Sequence, residues 1–229
     1  MTFQPRTPQA EARKAVLAAW KQSDWKADPA SRRQVVIKPT GTGKTGFFLW
    51  VGSTAVRQGL RVLVIAHREE LLLQPIKSLR KWWPDIAKRA GVIKAARNQV
   101  AVDFAFASIQ TVQNRARLDA YLKHGPPDLV IIDEVHHAPA GSYMRVIHAL
   151  EEAGRSGPKG KPPLLLGRTA TPERADGKEL GADWRLAYSY TIQRAWAEGY
   201  LVPRRGGPNA KAIVERIPDL DYSQQDMSR

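Results

Sequence analysis

The chain has 229 residues, of which 43% are hydrophobic and 25% are charged, the ordinary composition of a globular protein with a sizeable core. It contains no cysteine, which excludes disulfides, thiolate metal sites and cysteine nucleophiles. Lysine and arginine exceed aspartate and glutamate by 14, so we expect a polyanionic partner.

Short apolar runs rich in valine, isoleucine and leucine recur along the chain, and each predicts a buried strand of a parallel sheet. In chain order they read QVVI, RVLVIA, VAVDFAFA, LVII and PLLLG. The segments between them predict helices at Thr45–Arg57, Glu69–Trp83 and Ser142–Glu152. This alternation predicts the α/β class, with a mostly parallel central sheet flanked by helices on both faces.

The sequence pattern after residue 156 predicts where the domain ends. Residues 156–163, SGPKGKPP, predict an exposed basic loop, and one more strand is expected near residues 212–217. We expect a single domain over residues 1–204 and a carboxyl-terminal extension over residues 205–229. No apolar run approaches the roughly 18 residues of a membrane span, and the start lacks a signal peptide's apolar core. We therefore expect a soluble, cytoplasmic protein with no membrane partner.

A glycine-bearing turn, PTGTGKTGFFLW, follows the first predicted strand and leads into a helix. Gly41 and Gly43 allow backbone conformations that bring N–H groups close to phosphate oxygens at a helix N-terminus. Lys44 would contact the outer phosphates, and the Thr45 hydroxyl would bind Mg²⁺. The strict pattern G-x-x-x-x-G-K-[ST] would place its first glycine at Lys38, so the match is partial. The predicted phosphate site consists of Thr40, Gly41, Thr42, Gly43, Lys44 and Thr45.

The apolar run LVII ends in two carboxylates, Asp133 and Glu134. A nucleotide bound with Mg²⁺ needs an acidic group at the end of a neighbouring strand. We expect Asp133 to hold Mg²⁺ through water, and Glu134 to orient or deprotonate the attacking water. The predicted catalytic residues are thus Lys44, Asp133 and Glu134, with ATP and Mg²⁺ as cofactors.

Other interpretations of the acidic stretch stay open on the residues alone. His136 and His137 could suggest zinc, although adjacent residues on one element share a metal poorly and H-E-x-x-H does not occur. The stretch could also be a solvated acidic turn. A metabolic P-loop kinase is a further alternative, and it would leave several other motifs of the chain without a purpose.

The positive charge is concentrated in residues 57–97, which hold ten basic and three acidic residues. This surplus indicates either a phosphate-backbone footprint or a solvated helix face. The seven tryptophans could suggest base stacking. Four of them fall in segments predicted to be helical, where we expect core packing or partial exposure: Trp20, Trp50, Trp82 and Trp83.

With PTGTGKT and DEVH in place, the sequence resembles the amino-terminal RecA-like domain of superfamily 2 DExH-box helicases and translocases. The segments RTPQAEA, VLVIAHREELLLQ, ASIQTV and GRTATPERADG resemble further motifs of that family, in the family's order. The closing YTIQRAWAEGYLVPR is similar to the subgroup of type III restriction subunits and DNA repair translocases. The resemblance covers roughly residues 3–204.

The resemblance implies an ATP-dependent motor that acts on nucleic acid, DNA rather than RNA. It implies that Gln9 and Arg6 contact the adenine. It also implies a group of residues that couples the ATP site to the path of the strand: His136, Thr169, Ala170 and Thr171.

For the nucleic acid itself, the resemblance implies contacts to the sugar-phosphate backbone by Arg68, Gln110 and Thr111. Contacts of this kind position a strand without reading its base sequence.

The sequence departs from the family pattern at two residues and lacks one family motif. Arg168 stands where the subgroup has an apolar residue, Val135 replaces an alanine, and we expect neither to touch the catalytic groups. No Q-x-x-G-R-x-x-R occurs, so we expect arginines of a second RecA-like domain, in cis or in trans, to complete the ATP site. The chain alone should then hydrolyse ATP weakly. The alternative is a stand-alone module that binds nucleic acid or a helicase, with little or no ATPase activity.

Overall fold

The computed structural model describes residues 3–67, 70–94, 97–135, 141–170 and 183–202. Its centre is an eight-stranded sheet in the order β4–β3–β5–β2–β6–β7–β1–β8. The strands are β1 (Arg33–Ile37), β2 (Val62–Ala66), β3 (Ala90–Lys94), β4 (Arg97–Asn98), β5 (Phe104–Ser108), β6 (Leu129–Asp133), β7 (Leu164–Thr169) and β8 (Arg185–Ser189). Seven strands are parallel, and the two-residue β4 pairs antiparallel with β3 at one edge.

Helices cover both faces of this sheet, as the sequence predicted. They are α1 (Thr7–Lys21), α2 (Lys44–Arg57), α3 (Glu70–Trp82), α4 (Pro84–Ala87), α5 (Ile109–Val112), α6 (Arg115–Leu122), α7 (Gly141–Ser156) and α8 (Ile192–Ala197). A short 3₁₀ turn, Pro29–Arg32, leads into β1. Within the described part of the chain, no helix is both long and apolar enough to cross a membrane.

Two hydrophobic cores lie on opposite faces because alternate strand residues point to opposite sides. Val64 and Phe106 belong to the core that α1, α2, α3 and α4 cover. Ile65 and Ala107, the next residues along the same strands, belong to the core under α5, α6 and α7. The central strands are therefore buried on both faces, which explains their continuous apolar runs.

The five strands predicted from apolar runs all form, with small changes of boundary. The run VAVDFAFA becomes a strand only from Phe104 onward. The sequence did not predict β3, β4 or β8. β8 is an edge strand whose residues are exposed or half-buried, so its sequence carries no apolar run. The strand expected near residues 212–217, and the extension expected over residues 205–229, lie outside the described residues.

The tryptophans behave as expected for packing residues. Trp20 and Trp83 are buried, while Trp50 and Trp82 are half-buried. Phe3 lies against three of these rings, with centroids 4.8 Å from Trp83, 5.3 Å from Trp82 and 6.0 Å from Trp50. This contact fixes the start of the chain on the outer side of α2 and α3.

The loop at residues 156–163 is only partly the exposed loop that was expected. Lys159 is exposed and its Nζ lies 2.5 Å from Asp128 Oδ1, while Pro162 and Pro163 are buried. The loop is therefore held against the sheet where it leads into β7.

The parallel arrangement decides where the candidate site lies. The carboxyl ends of β5, β2, β6, β7 and β1 meet at one edge of the sheet, in that order. In parallel α/β sheets, ligands bind in the crevice outside this edge. We call it the carboxyl edge.

Candidate functional site

The segment between β1 and α2 forms a tight turn at the carboxyl edge. Gly41 and Gly43 both have positive φ, +88° and +81°, which favours glycine. The Thr42 hydroxyl donates to the Pro39 carbonyl at 2.6 Å and closes the turn. Gly43 is the N-cap of the 14-residue helix α2, so the turn delivers backbone N–H groups and the positive end of the helix dipole to one point. This is the geometry of a phosphate-binding loop.

Gln9 joins α1 to this loop. Its side chain is buried, and Nε2 donates to the Gly43 carbonyl at 2.8 Å. Its Oε1 accepts from the Arg6 backbone N–H at 2.8 Å, which fixes the orientation of the amide. Arg6 is exposed, with its guanidinium 5.4 Å from the centre of the Tyr200 ring. Arg6 and Gln9 therefore lie together beside the loop, and their contact with adenine stays a prediction.

The acidic pair lies at the end of β6, across from the loop. Glu134 has φ +52°, and it is the one non-glycine residue with positive φ in the described chain. Strained backbone of this kind tends to occur at functional sites. Lys44 Nζ lies 3.7 Å from Glu134 Oε1. Burial lowers the pKa of Lys44, and the Glu134 carboxylate opposes that shift.

The expectation that Arg168 does not touch the catalytic groups is wrong. Arg168 lies directly opposite Asp133 in the pairing of β6 with β7. Its Nη2 is 2.5 Å from Asp133 Oδ2, and both side chains are buried. The guanidinium also lies 4.7 Å from the centre of the Phe48 ring on α2. The apolar residue expected here could not make this ion pair.

The residues present fit a hard divalent cation. Asp133 Oδ1 is buried and has no hydrogen-bond partner among the described residues, which leaves one carboxylate oxygen for a ligand. Thr45 lies in the first turn of α2 and is half-buried. No cluster of three or more histidines and carboxylates forms within the described ranges. A cation held by Asp133 and Thr45 would therefore need phosphate oxygens as well, as Mg²⁺ usually does.

Two of the predicted nucleic-acid residues lie further along the same edge. Gln110 is exposed, and its Nε2 donates to the His67 carbonyl at 3.1 Å. The Thr111 hydroxyl lies 2.8 Å from Ser108 Oγ at the start of α5. Both residues follow β5 at the carboxyl edge, and β2 lies between β5 and the strand that ends in the acidic pair. Arg68 lies outside the described residues.

The predicted coupling residues are described only in part. Thr169 is fully buried at the end of β7, and its carbonyl accepts from the Lys38 N–H at 3.0 Å. Ala170 follows, half-buried. The end of β7 is therefore hydrogen-bonded to Lys38, which lies between β1 and the phosphate loop. His136, His137 and Thr171 lie outside the described residues.

The basic residues of positions 57–97 lie partly at the carboxyl edge and partly at the opposite side of the sheet, where the parallel strands begin. Because α2 and α3 start at the carboxyl edge and run away from it, their ends lie at the opposite edge. Six of the ten basic residues are found there: Arg57, Arg61, Arg80, Lys81, Lys88 and Arg89. The surplus as a whole is therefore no marker of the site.

The sequence did not predict that Lys38 is a buried cation. Lys38 has no exposed surface, and its Nζ has no hydrogen-bond partner in the described chain. The Phe47 and Tyr190 rings lie 5.9 and 5.8 Å away. Burial lowers the pKa of Lys38 to about 8, and the charge of Arg6 adds to this shift. The missing first glycine of the strict loop pattern was the available signal.

A phosphate loop after the first strand, an acidic pair at the end of a neighbouring strand and a parallel sheet in this order define a RecA-like P-loop domain.

The comparison with known families agrees with that class. Residues 2–174 match the family described as type III restriction enzyme, res subunit, and the chain belongs to this family. It is 34% identical over 158 residues to a putative mitochondrial ATP-dependent helicase, irc3, of Schizosaccharomyces pombe. That match covers 67% of this chain and 25% of the relative. The predicted resemblance to the amino-terminal RecA-like domain of superfamily 2 helicases is thereby confirmed.

Solved structures share the fold. The helicase domain of Hef from Pyrococcus furiosus has a TM-score of 0.59 at 21% identity, over 85% of this chain and 40% of that one. The ATP-dependent type ISP restriction-modification enzyme LlaBIII, bound to DNA, has a TM-score of 0.60 at 18% identity. That match covers 86% of this chain and 16% of the other. The predicted fold class is confirmed.

Proposed function

We propose that this chain is the ATP-binding motor domain of a nucleic-acid-dependent helicase or translocase that acts on DNA. One observation carries the proposal: Lys44 of the phosphate loop lies 3.7 Å from Glu134, beside Asp133, at the carboxyl edge. Lys44 begins the helix after β1 and the acidic pair lies at the end of β6, and hydrolysis of a nucleoside triphosphate needs these side chains together. The S. pombe relative, named as an ATP-dependent helicase, supports the class.

In this mechanism, the ion pair between Lys44 and Glu134 must separate before either residue can act. In the structure, each charge neutralises the other in a half-buried crevice. When a nucleotide binds, Lys44 would leave Glu134 for the phosphate oxygens. Glu134 would then be able to accept a proton from the attacking water. The ion pair therefore keeps the general base occupied until its substrate is bound.

The cation would be held by Asp133 and Thr45 together with the phosphates. When bound, Mg²⁺ neutralises charge that develops on the phosphate oxygens. Gln9 and Arg6 would contact the adenine from the α1 side of the loop. Gln9 Nε2 donates to the Gly43 carbonyl at 2.8 Å, which orients the amide.

The nucleic acid would cross the ends of β2 and β5 and contact Gln110 and Thr111, which follow β5. Arg68 is proposed as a further contact. Thr169 is the last residue of β7, the strand between β6 and β1, and Ala170 follows it. With His136 and Thr171 they would transmit the state of the ATP site to the nucleic acid. A second RecA-like domain, in cis or in trans, would supply the arginines that make hydrolysis fast. Such arginines contribute about 10³ to 10⁵ in rate in other systems. DNA is favoured because LlaBIII is bound to DNA.

Two measurements test the proposal. The first is binding of a fluorescent ATP analogue to residues 1–229, with Lys44→Ala as the comparison. We expect binding by the wild-type chain and a clear loss in the variant; equal binding by both would overturn the phosphate site. The second is ATPase activity of the full-length gene product with double-stranded DNA, single-stranded DNA and RNA side by side. Stimulation by RNA alone would overturn the assignment to DNA, and nucleotide binding without stimulated hydrolysis would indicate a binding module.

A further inference from the structure

The ion pair between Arg168 and Asp133 lies within the candidate Mg²⁺ site. Nη2 of Arg168 is 2.5 Å from Oδ2 of Asp133, and the exposed fractions of the two side chains are 6% and 3%. Oδ1 of the same carboxylate has no partner among the described residues. One oxygen of Asp133 is thus occupied by a fixed cation, and one is left for a ligand.

Arg168 is fixed from two further directions. Its backbone belongs to β7, paired on one side with Asp133 of β6 and on the other with Val36 of β1. Its guanidinium packs on the Phe48 ring at 4.7 Å, a favourable contact between a cation and an aromatic face. Phe48 lies on α2, the helix that begins at the phosphate loop. Arg168 therefore connects the acidic strand end to the phosphate-loop helix.

A buried arginine next to a carboxylate has two effects on a divalent cation. It holds the carboxylate in one position, which favours a defined site. It also supplies positive charge within a few ångströms of the cation, in a region where water screens little, and this disfavours binding. The charge effect acts on every cation at Oδ1, because Arg168 lies at the other oxygen of the same group.

We propose that Arg168 is a positioning residue of the nucleotide site. It holds Asp133 in place when no divalent cation is bound, and its charge lowers the affinity of the site for that cation. The proposal rests on the proposed function in so far as the cation arrives with a nucleotide. We therefore expect Mg²⁺ to increase the nucleotide affinity of the wild-type protein only modestly. Removing Arg168 should enlarge that gain.

The test compares Arg168→Leu with Arg33→Leu. Arg33 and Glu151 form the matched control pair, equally buried and joined by two hydrogen bonds of 2.9 Å. Arg33 is the first residue of β1, so it lies ~13 Å along the strand from the phosphate loop. Both variants remove the arginine nearest to a buried carboxylate and should be destabilised, although Glu151 keeps Arg155 Nη2 3.6 Å from its Oε2. Only Arg168→Leu should change the response to Mg²⁺.

The first readout is the affinity for a fluorescent ATP analogue with Mg²⁺, divided by its affinity in EDTA. We expect this ratio to rise about tenfold or more in Arg168→Leu, since an opposite charge at this distance shifts a carboxylate's ionisation equilibrium by a similar factor. The ratio for Arg33→Leu should equal that of the wild type. General destabilisation lowers both affinities and leaves the ratio unchanged. An unchanged ratio in Arg168→Leu would overturn the proposal while leaving the proposed function intact.

The second readout uses Mn²⁺ alone and needs no nucleotide. We expect Mn²⁺ to raise the melting temperature of Arg168→Leu more than that of the wild type or of Arg33→Leu, because Mn²⁺ replaces the missing positive charge. If the wild type binds no nucleotide, the proposed function fails and this readout alone decides on Arg168. Equal shifts in all three proteins would then overturn the proposal. Arg168→Gln is the second variant if Arg168→Leu does not fold, with the same expected direction.

Discussion

Lys44 Nζ lies 3.7 Å from Glu134 Oε1, so the cation of the phosphate loop is paired with the carboxylate that follows Asp133. The two residues are 90 positions apart in the sequence. Their contact depends on the order of the strands, in which only β7 separates β6 from β1. In the proposed mechanism, the pair would join phosphate binding to the activation of water.

Glu134→Gln should separate binding from hydrolysis. The amide removes the base but keeps the shape, so we expect hydrolysis by the full-length gene product to fall by about 10² to 10⁴, with nucleotide binding retained. Lys44→Ala should abolish both. The measurement is DNA-stimulated phosphate release, with Glu152→Gln as the control, because Glu152 is an exposed carboxylate on α7. Unchanged hydrolysis in both site variants would show that the site is wrongly assigned.

Gly43→Ala should destabilise the protein more than the positive φ of this residue alone would explain. Gly43 has φ +81°, and an added Cβ would lie 2.7 Å from Gln9 Nε2. The Gln9 amide cannot move away easily, because two hydrogen bonds hold it in place. Gly59→Ala is the matched control, because Gly59 has φ +76° and nothing lies within 4 Å of an added Cβ.

We expect both glycine variants to lose about 1–2 kcal/mol in urea unfolding from the left-handed backbone. Gly43→Ala should lose roughly 1 kcal/mol more and should also bind nucleotide less tightly. Equal losses in stability and equal nucleotide affinity in the two variants would show that the contact with Gln9 is unimportant.

Lys38→Met should stabilise the protein at neutral pH. The folded-state pKa of Lys38 is about 8, against an ordinary value of 10.5, because burial disfavours the charged form. Below pH 8 the lysine is charged in both states, and the folded protein carries the full cost of burying that charge. Between pH 8 and 10.5 the unfolded chain binds more protons, so stability rises with pH and the cost disappears.

Urea unfolding at pH 7 and at pH 10 checks this prediction. We expect Lys38→Met to exceed the wild type by up to about 3 kcal/mol at pH 7, and by much less at pH 10. Lys77→Met, on the exposed side of α3, removes the same charge from the surface and should differ little from the wild type at either pH. A gain from Lys38→Met that does not depend on pH would exclude the buried charge as its cause.

Gln110→Ala should weaken binding of single-stranded DNA. Gln110 is exposed at the carboxyl edge, and its amide bonds to the His67 carbonyl at 3.1 Å, which orients it next to the expected strand path. We expect a loss of about three- to tenfold, the usual effect of removing one hydrogen bond. Gln58→Ala is the control, because Gln58 is an exposed amide at the far end of α2. Equal affinity of both variants, measured by fluorescence anisotropy, would place the strand elsewhere.

The sequence alone determined the class of fold, and it predicted the chemistry of the loop. β1, β2, β6 and β7 are buried on both faces, so each shows an apolar run that is legible without the structure. The loop is equally local, because two positive-φ glycines, a lysine and a helix start all lie within a few residues. Such features need no knowledge of which strand lies beside which. β8 escaped prediction because one side of an edge strand meets solvent.

The tertiary structure alone decided which side chains meet. Arg168 was visible as a departure from the family pattern, yet only the pairing of β6 with β7 places it opposite Asp133. The basic residues of positions 57–97 form one cluster in the sequence, but the reversal of α2 and α3 sends most of them to the far edge of the sheet. Lys38 reads as a loop residue, and only the packing of Phe47 and Tyr190 around it makes it a buried cation. In each case the deciding contact joins distant parts of the chain, and local patterns carry no information about it.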